Sequence, residues 1–367
     1  MTNHVTRLLA TGDWFSHGPM SAEAADAEGT ASVLGLLRQA DLAFVNLETP
    51  LTTRGVAMEK LSVLRADPAL AESLLAAGVD IVTLANNHML DYGPDGLFDT
   101  LDTLDGRGIP HVGAGRTLAE ARAPHILRGP GGTIGFLGFA STLPQGFAAG
   151  PNRPGVAPIR ATTAFVVEAY TLLEQPGTAP PIATYALEMD LEETVESVRA
   201  LRPQVDYLIV AGHWGVVGQD LVMDYQREVA HALIDAGADL ILGHHPHRLH
   251  GVEWYRGKPV FYSLGNFVFE APPVGGGSPF LSWKGGLTIA AIRAMFRREG
   301  LLVEACIEGG ELRELSAHPV SLGANGYPVH RPDSAQDFAL LLQDLSDRQN
   351  VQFTPRDGRV IVSPASA

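Results

Sequence analysis

Three stretches of the chain share one form. VDIVTLANNH (79–88), VDYLIVAGHWG (205–215) and GADLILGHHPH (237–247) each run through a short apolar core into amides and imidazoles. A brief apolar run bounded by turn formers reads as a buried strand. Each of these runs follows a segment with helical spacing: ALAESLLAAG, MDLEETVESVRALR and DYQREVAHALIDAG. VTRLLATGD and DLAFVNLE precede the series, GPDGLFDTLDTLDGRG supplies a further helix, and TIGFLGFA and KPVFYSLGNFVF continue the strands. Strand and helix in alternation specify an α/β layered core, because each strand hides both faces under neighbouring elements. Gly78 suits the left-handed position that ends a helix, and Asp190 with Glu193 three residues later forms a candidate capping box.

Two stretches interrupt this rhythm. Residues 144–185, including PQGFAAGPNRPGVAP and EQPGTAPP, surround one apolar patch, TTAFVVEAYTLL, which could form a helix. An interruption of that length in a compact domain is expected to be a lid or insertion. Residues 270–286 are rich in glycine and could border the same cleft. After about residue 319 the alternation fades, so a main domain from 5 to 318 is expected, with 319–367 as an appendage holding one amphipathic helix, SAQDFALLLQDLSDR.

Composition narrows the functional classes. With 367 residues and 46% hydrophobic content the chain can bury a large core. A formal charge of −15 and the lack of any Lys/Arg block argue against nucleic acid or an anionic membrane as partner. MTNHVTRLLATGD has no basic segment leading into an apolar signal core, and no apolar run approaches the roughly 18 residues of a membrane span, so a cytoplasmic protein without a membrane anchor is expected. The single cysteine, Cys306, excludes a thiolate metal site, and its place in LLVEACIE predicts a half-buried strand position.

The strand ends carry the chemistry. The first ends at Asp13, the second at Asn46 and Glu48, the third at Asn86, Asn87 and His88, and two later ones at His213 and at His245 and His247. In α/β sheets ligands bind outside the carboxyl ends of strands, so these five turns can converge. Each residue also has an ordinary role open to it: Asp13, Asn86 and Asn87 as turn formers, His213 as a satisfied core histidine. Together they form a mixed carboxylate, amide and imidazole set suited to Zn, Mn or Fe. His17, His111, His125, His231 and His318 lack such a setting.

The stretches GDWF, VNLETPL, LANNHMLDYGPDGLFDTL, AGHWG and GADLILGHHPHRLHGVEWYRGKPVFYSLGNFVF resemble the CapA-like poly-γ-glutamate biosynthesis family, a branch of the calcineurin-like metallophosphoesterases. The resemblance implies a four-layer α/β/β/α sandwich and one or two divalent ions held by Asp13, Glu48, Asn87, His213, His245 and His247. It implies His88 as a protonating residue, with Asp13 and His247 as further catalytic candidates. Trp214, Arg248 and Asn266 adjoin these motifs and are expected at the substrate, Arg248 through an anionic group. One position departs from the superfamily pattern: Phe15 stands where a histidine ligand follows the first aspartate, and His17 is the nearest substitute. The family leaves the reaction open. Metal-assisted hydrolysis or transfer on a phosphate ester, peptide or γ-glutamyl substrate is the leading expectation. A metal-independent Cα epimerase of lasso-type peptides, using Asp13 and His247 as acid and base, is the alternative, and a non-catalytic scaffold is the third class.

Overall fold

Neighbouring side chains of the central strands enter different cores. Leu8 and Ala10 pack with Phe44, Phe136, Ile209 and Leu242 between two sheets, while Leu9, Val45 and Val82 turn outward. This is the two-residue period of a strand buried on both sides. The computed structural model describes residues 4–60, 62–175, 177–270, 295–346 and 350–365; the expected glycine-rich border loop lies outside these from residue 271 on.

Across the larger sheet the strands run Val351–Arg356, Arg359–Pro364, Glu311–Leu322, Glu299–Glu308, Thr6–Phe15, Leu42–Leu47, Ile81–Thr83 and His111–Val112, with Asn266–Phe269 beside Thr6–Phe15 and Pro328–His330 on Glu311–Leu322. The smaller sheet runs Val252–Tyr255, Lys258–Phe261, Leu240–His244, Tyr207–His213, Gly132–Ala140 and His125–Gly129. Helices Glu28–Arg38, Leu70–Ala76 and Gly93–Arg107 cover the larger sheet through Val33, Leu37, Leu74, Leu97, Leu101 and Leu104. Helices Glu188–Leu201 and Asp224–Asp235 cover the smaller one through Val198, Leu201, Val229 and Leu233. The result is a four-layer α/β/β/α sandwich, as expected. Phe44 and Phe136 join the sheets at its centre, stacked with centroids 5.7 Å apart. Among the described residues no helix is long and apolar enough to cross a membrane.

Several local expectations are corrected. Asp190 does not cap its helix: the helix begins at Glu188 after Leu187, and the buried Asp190 carboxylate instead takes both Nε and Nη2 of Arg160 at 2.7 Å. TTAFVVEAYTLL is not one helix. Ala161–Phe165 pairs antiparallel with Ile182–Ala186, and only Ala169–Glu174 is helical, in keeping with the strand preference of Thr162 and Thr163. The boundary at 318 falls within the strand Glu311–Leu322, and the segment beyond it is no appendage. Val351–Arg356 and Arg359–Pro364 extend the larger sheet, and Phe338 and Leu342 of helix Ala335–Leu345 enter the core between the sheets. Within 144–185, Phe147, Ala149, Val156 and Ile159 are buried, whereas Phe165 and Leu173 are exposed. Cys306 is half-buried in Glu299–Glu308, as its alternation predicts.

Candidate metal centre

The parallel strands Thr6–Phe15, Leu42–Leu47 and Ile81–Thr83 lie side by side, so their carboxyl ends share one edge of the larger sheet. Tyr207–His213 and Leu240–His244 do the same in the smaller sheet. The two edges meet. Asp13 is in register with Asn46 and Asn266, and Asn46 Nδ2 donates to Asp13 Oδ1 at 2.7 Å. Asn87 Oδ1, from the larger sheet, lies 2.7 Å from His213 Nε2 of the smaller. His245 Nδ1 is 3.1 Å from His213 Nε2, and the His245 backbone N–H donates to Asp13 Oδ2 at 3.3 Å.

Glu48 sits at the middle of this ring. It is fully buried, yet neither carboxylate oxygen has a hydrogen-bond partner. Three imidazoles face it instead, with Nε2 of His213, His247 and His88 at 3.5, 3.6 and 3.9 Å from Oε1. Such a group is costly in a dry interior unless something polar completes it. Two sets of donors converge on Glu48: Glu48, His213 and His245 form one, and Asp13, Glu48 and His247 the other, with ligand atoms within 4.8 Å of one another in each. A carboxylate common to both sets is the arrangement that bridges paired divalent ions. Asn87 Oδ1, in contact with His213, adds a fourth donor, its second oxygen, to the first set. The residues present therefore fit one or two cations.

Electrostatics agree with the geometry. Burial, followed by the neighbouring Asp13, holds the Glu48 carboxyl well above its ordinary range. Burial and the adjacent imidazole of His245 push His213 well down. Burial and His247 lower His245 to about 3, so both rings are neutral at physiological pH, the form in which an imidazole can bind a metal. For Asp13 burial is opposed by the hydrogen bond and charge of His247, and its carboxyl ends below the ordinary value. The backbone also bends to serve the site. His245 and His247 have φ of 99° and 56°, conformations that side-chain-bearing residues adopt at a cost of about 1–3 kcal/mol.

The candidate catalytic and metal-ligating residues Asp13, Glu48, Asn87, His88, His213, His245 and His247 thus come together; of the substrate candidates only Asn266 joins them, and Trp214 and Arg248 do not. Trp214 is wholly buried, donates from Nε1 to the Tyr262 carbonyl at 2.9 Å, and packs edge-on to Phe139. Successive residues at a strand end face opposite ways, so His213 enters the centre and Trp214 the outer core. Trp214→Phe should lower stability by about 1–3 kcal/mol through the orphaned carbonyl while leaving metal affinity unchanged, as urea melts and calorimetry would show. Arg248 is 5% exposed and pairs with Asp220 and the Met295 carbonyl. Asn266 is buried, and its Oδ1 lies 2.8 Å from His247 Nδ1, which orients that ring. Asn86 is the ordinary turn former: it bonds the Leu47 carbonyl and the His88 N–H.

Phe15 is fully buried with Leu64, Phe269 and Leu322, and Phe269 and Phe296 pack at 4.7 Å from the His247 ring. An aromatic wall therefore occupies the flank where the resemblance called for a further histidine. His17 does not replace that histidine; it is exposed, with its ring edge-on to Phe15 at 4.9 Å. Two polar residues escaped the reading of the sequence. Asp91 Oδ2 lies 2.6 Å from His88 Nδ1, and Lys60 bonds Asp91 Oδ1 at 2.5 Å. The spacing of Asp91 three residues after His88 was a visible signal; Lys60, in a loop without periodicity, carried none. A cleft of about 510 Å³ lined by Asp239, Trp254, Lys258 and Arg313 lies away from this centre.

Residues 7–271 match the family described as bacterial capsule synthesis protein PGA_cap. The chain belongs to the PGA_cap family. Protein y4sH of Sinorhizobium fredii is 30% identical over 96% of this chain and 89% of its own length. The PGA biosynthesis protein CapA of Bacillus subtilis is 32% identical over 64% of this chain and 55% of its own. A probable polyglutamine synthesis accessory protein of Mycobacterium tuberculosis is 32% identical over 66% and 59%. A solved structure described as a novel phosphatase of Mycoplasma pneumoniae is similar at 14% identity and a TM-score of 0.44, covering 87% of this chain and 95% of that one. The architecture of this PGA_cap protein rests on its own sheet order and layering.

Proposed function

We propose that this PGA_cap protein is a divalent-metal-dependent hydrolase or transferase acting on a phosphate ester or a peptide or γ-glutamyl substrate. One observation carries the reading: Glu48, buried with both oxygens unpartnered, belongs to two converging donor sets. Glu48, Asn87, His213 and His245 would hold one ion, and Asp13, Glu48 and His247 a second, with Mn, Zn or Fe matching the N/O donors. Bound there, the ions supply Lewis-acid polarisation of the scissile group. The chain's own residues supply the rest. Asp91 accepts the Nδ1 proton of His88 and leaves Nε2 facing the centre, where it can hold a proton for the leaving group. Asn266 fixes the His247 ring, and Phe269 and Phe296 keep water from its flank. The names of the Bacillus and Mycobacterium relatives favour a γ-glutamyl or peptide substrate.

The epimerase alternative needs an acid and a base on opposite sides of one Cα. Asp13 Oδ2 and His247 Nδ1 are in direct contact at 3.3 Å, which favours one shared function over two separated ones. Turnover of p-nitrophenyl phosphate esters and of γ-glutamyl peptides, with and without EDTA, tests the proposal. Activity on one class should vanish on chelation and return with Mn²⁺. Failure to bind any transition metal, together with EDTA-resistant deuterium incorporation at a peptide α-carbon, would overturn it in favour of epimerisation.

A further inference from the structure

Lys60 lies in the loop that follows Glu48, and burial draws its ammonium away from water. Its Nζ donates to the Asn87 carbonyl at 2.6 Å and to Asp91 Oδ1 at 2.5 Å, and it stands 5.3 Å above the Phe147 ring. An ammonium has three protons, and a carbonyl, a carboxylate and an aromatic face account for all three. Asp91 is saturated in turn: its other oxygen receives the Leu64 N–H and His88 Nδ1, both at 2.6 Å. The 3.3 Å approach of Lys60 Nζ to His88 Nδ1 is then a contact between two donors, tolerated because Asp91 binds both. Lys60 thereby grips the backbone of one candidate ligand, Asn87, and the carboxylate that orients its neighbour, His88.

We propose that Lys60 is a positioning residue of the centre: it aims the Asn87 side chain at the His213 set and locks His88 with Nδ1 protonated toward Asp91 and Nε2 toward Glu48. The part concerning Asn87 rests on the metal-dependent reading above; the part concerning His88 does not. Among the described residues no other lysine or arginine pairs with Asp91. Lys60 makes no hydrogen bond to Glu48, His213 or His245 and reaches Glu48 and His245 only through its charge.

The test uses the full chain as wild type, Lys60→Met and Lys60→Arg. The ring ¹⁵N shifts of His88, assigned by difference with His88→Gln, report its tautomer in metal-free protein. Calorimetry with Mn²⁺ reports affinity, and thermal melts confirm folding. Wild type should show the Nδ1–H tautomer. Lys60→Met should mix the tautomers and weaken Mn²⁺ binding by roughly 10–100-fold, the range seen for outer partners of metal ligands. Lys60→Arg should recover most of both. A folded Lys60→Met protein with the wild-type tautomer and wild-type Mn²⁺ affinity would overturn the proposal. If Lys60→Met does not fold, Lys60→Gln, which keeps two N–H donors and no charge, is judged by the same readouts. Should wild type itself bind no Mn²⁺, the metal-dependent reading fails, while the tautomer still decides the role of Lys60 at His88.

Discussion

Replacing Glu48 with glutamine should abolish metal binding and, in the same step, make the metal-free protein harder to melt. The first effect follows from its place in both donor sets. Removing a common ligand should cost more affinity than the roughly 10–100-fold expected from an outer partner. The second follows from burial without partners. A carboxylate in that position is poorly solvated, whereas a neutral amide can donate to His247 Nε2, 3.6 Å away, and accept from His213 Nε2, 3.5 Å away. Relief of one unsatisfied buried group is worth about 1–3 kcal/mol, or about 1–4 °C in melting temperature for a chain of this size. A purely structural glutamate would behave the other way, with the variant melting lower. Calorimetric titration with Mn²⁺ and a chelated thermal melt on one preparation give both numbers, and a lowered melting temperature with metal binding intact would contradict the bridging role.

Acid should destabilise the metal-free protein before any surface carboxylate is protonated. His245 is held neutral by burial, its folded value near 3 against an ordinary 6.5, and His213 is shifted in the same direction. A histidine with a depressed folded value adds stability above the unfolded value and loses it as pH falls, because the unfolded chain takes up the proton first. At about 1.4 kcal/mol per unit, His245 alone removes on the order of 4–5 kcal/mol between pH 6.5 and 3. Glu48 acts with the opposite sign. Its raised value makes the folded state the better proton binder, so stability declines as pH rises from the ordinary 4.5 through the folded value. Urea melts of metal-free protein from pH 4 to 8 should therefore pass through a maximum, and Glu48→Gln should remove the alkaline fall while keeping the acid one. A profile flat below pH 6.5 in both proteins would show that the imidazoles are not buried as neutral rings.

The strand-end ligands were legible because a strand buried on both faces displays polar residues only where it leaves the core. Asp13, Glu48, Asn87, His213, His245 and His247 all stand at such exits and all converge. Trp214 was misread for want of the same rule applied one residue further, since alternation sends it inward when His213 faces the centre. The terminal hairpin carried a signal too. Asp357 and Gly358, with φ of 51° and 75°, make the two-residue turn that an Asp-Gly pair between alternating strands specifies. By contrast, the Lys60 contacts depend on how a loop folds back over another turn, and no periodicity or local preference encodes that. The patch TTAFVVEAYTLL was ambiguous for a different reason: short apolar runs satisfy helix and strand spacing equally, and pairing with Ile182–Ala186 decides between them.

The donors are divided evenly along the chain. Asp13, Glu48 and Asn87 come from the larger sheet and the early part of the sequence, while His213, His245 and His247 come from the smaller sheet much later. During synthesis the first three emerge long before their partners, and carboxylate and amide oxygens alone make a weak and unselective trap. On the metal-dependent reading proposed above, high affinity would arise only when the late imidazoles arrive and the two sheet edges close on one another. A filled centre would then report that the two sheets have docked, while the strands after His247 are added to the larger sheet independently of it.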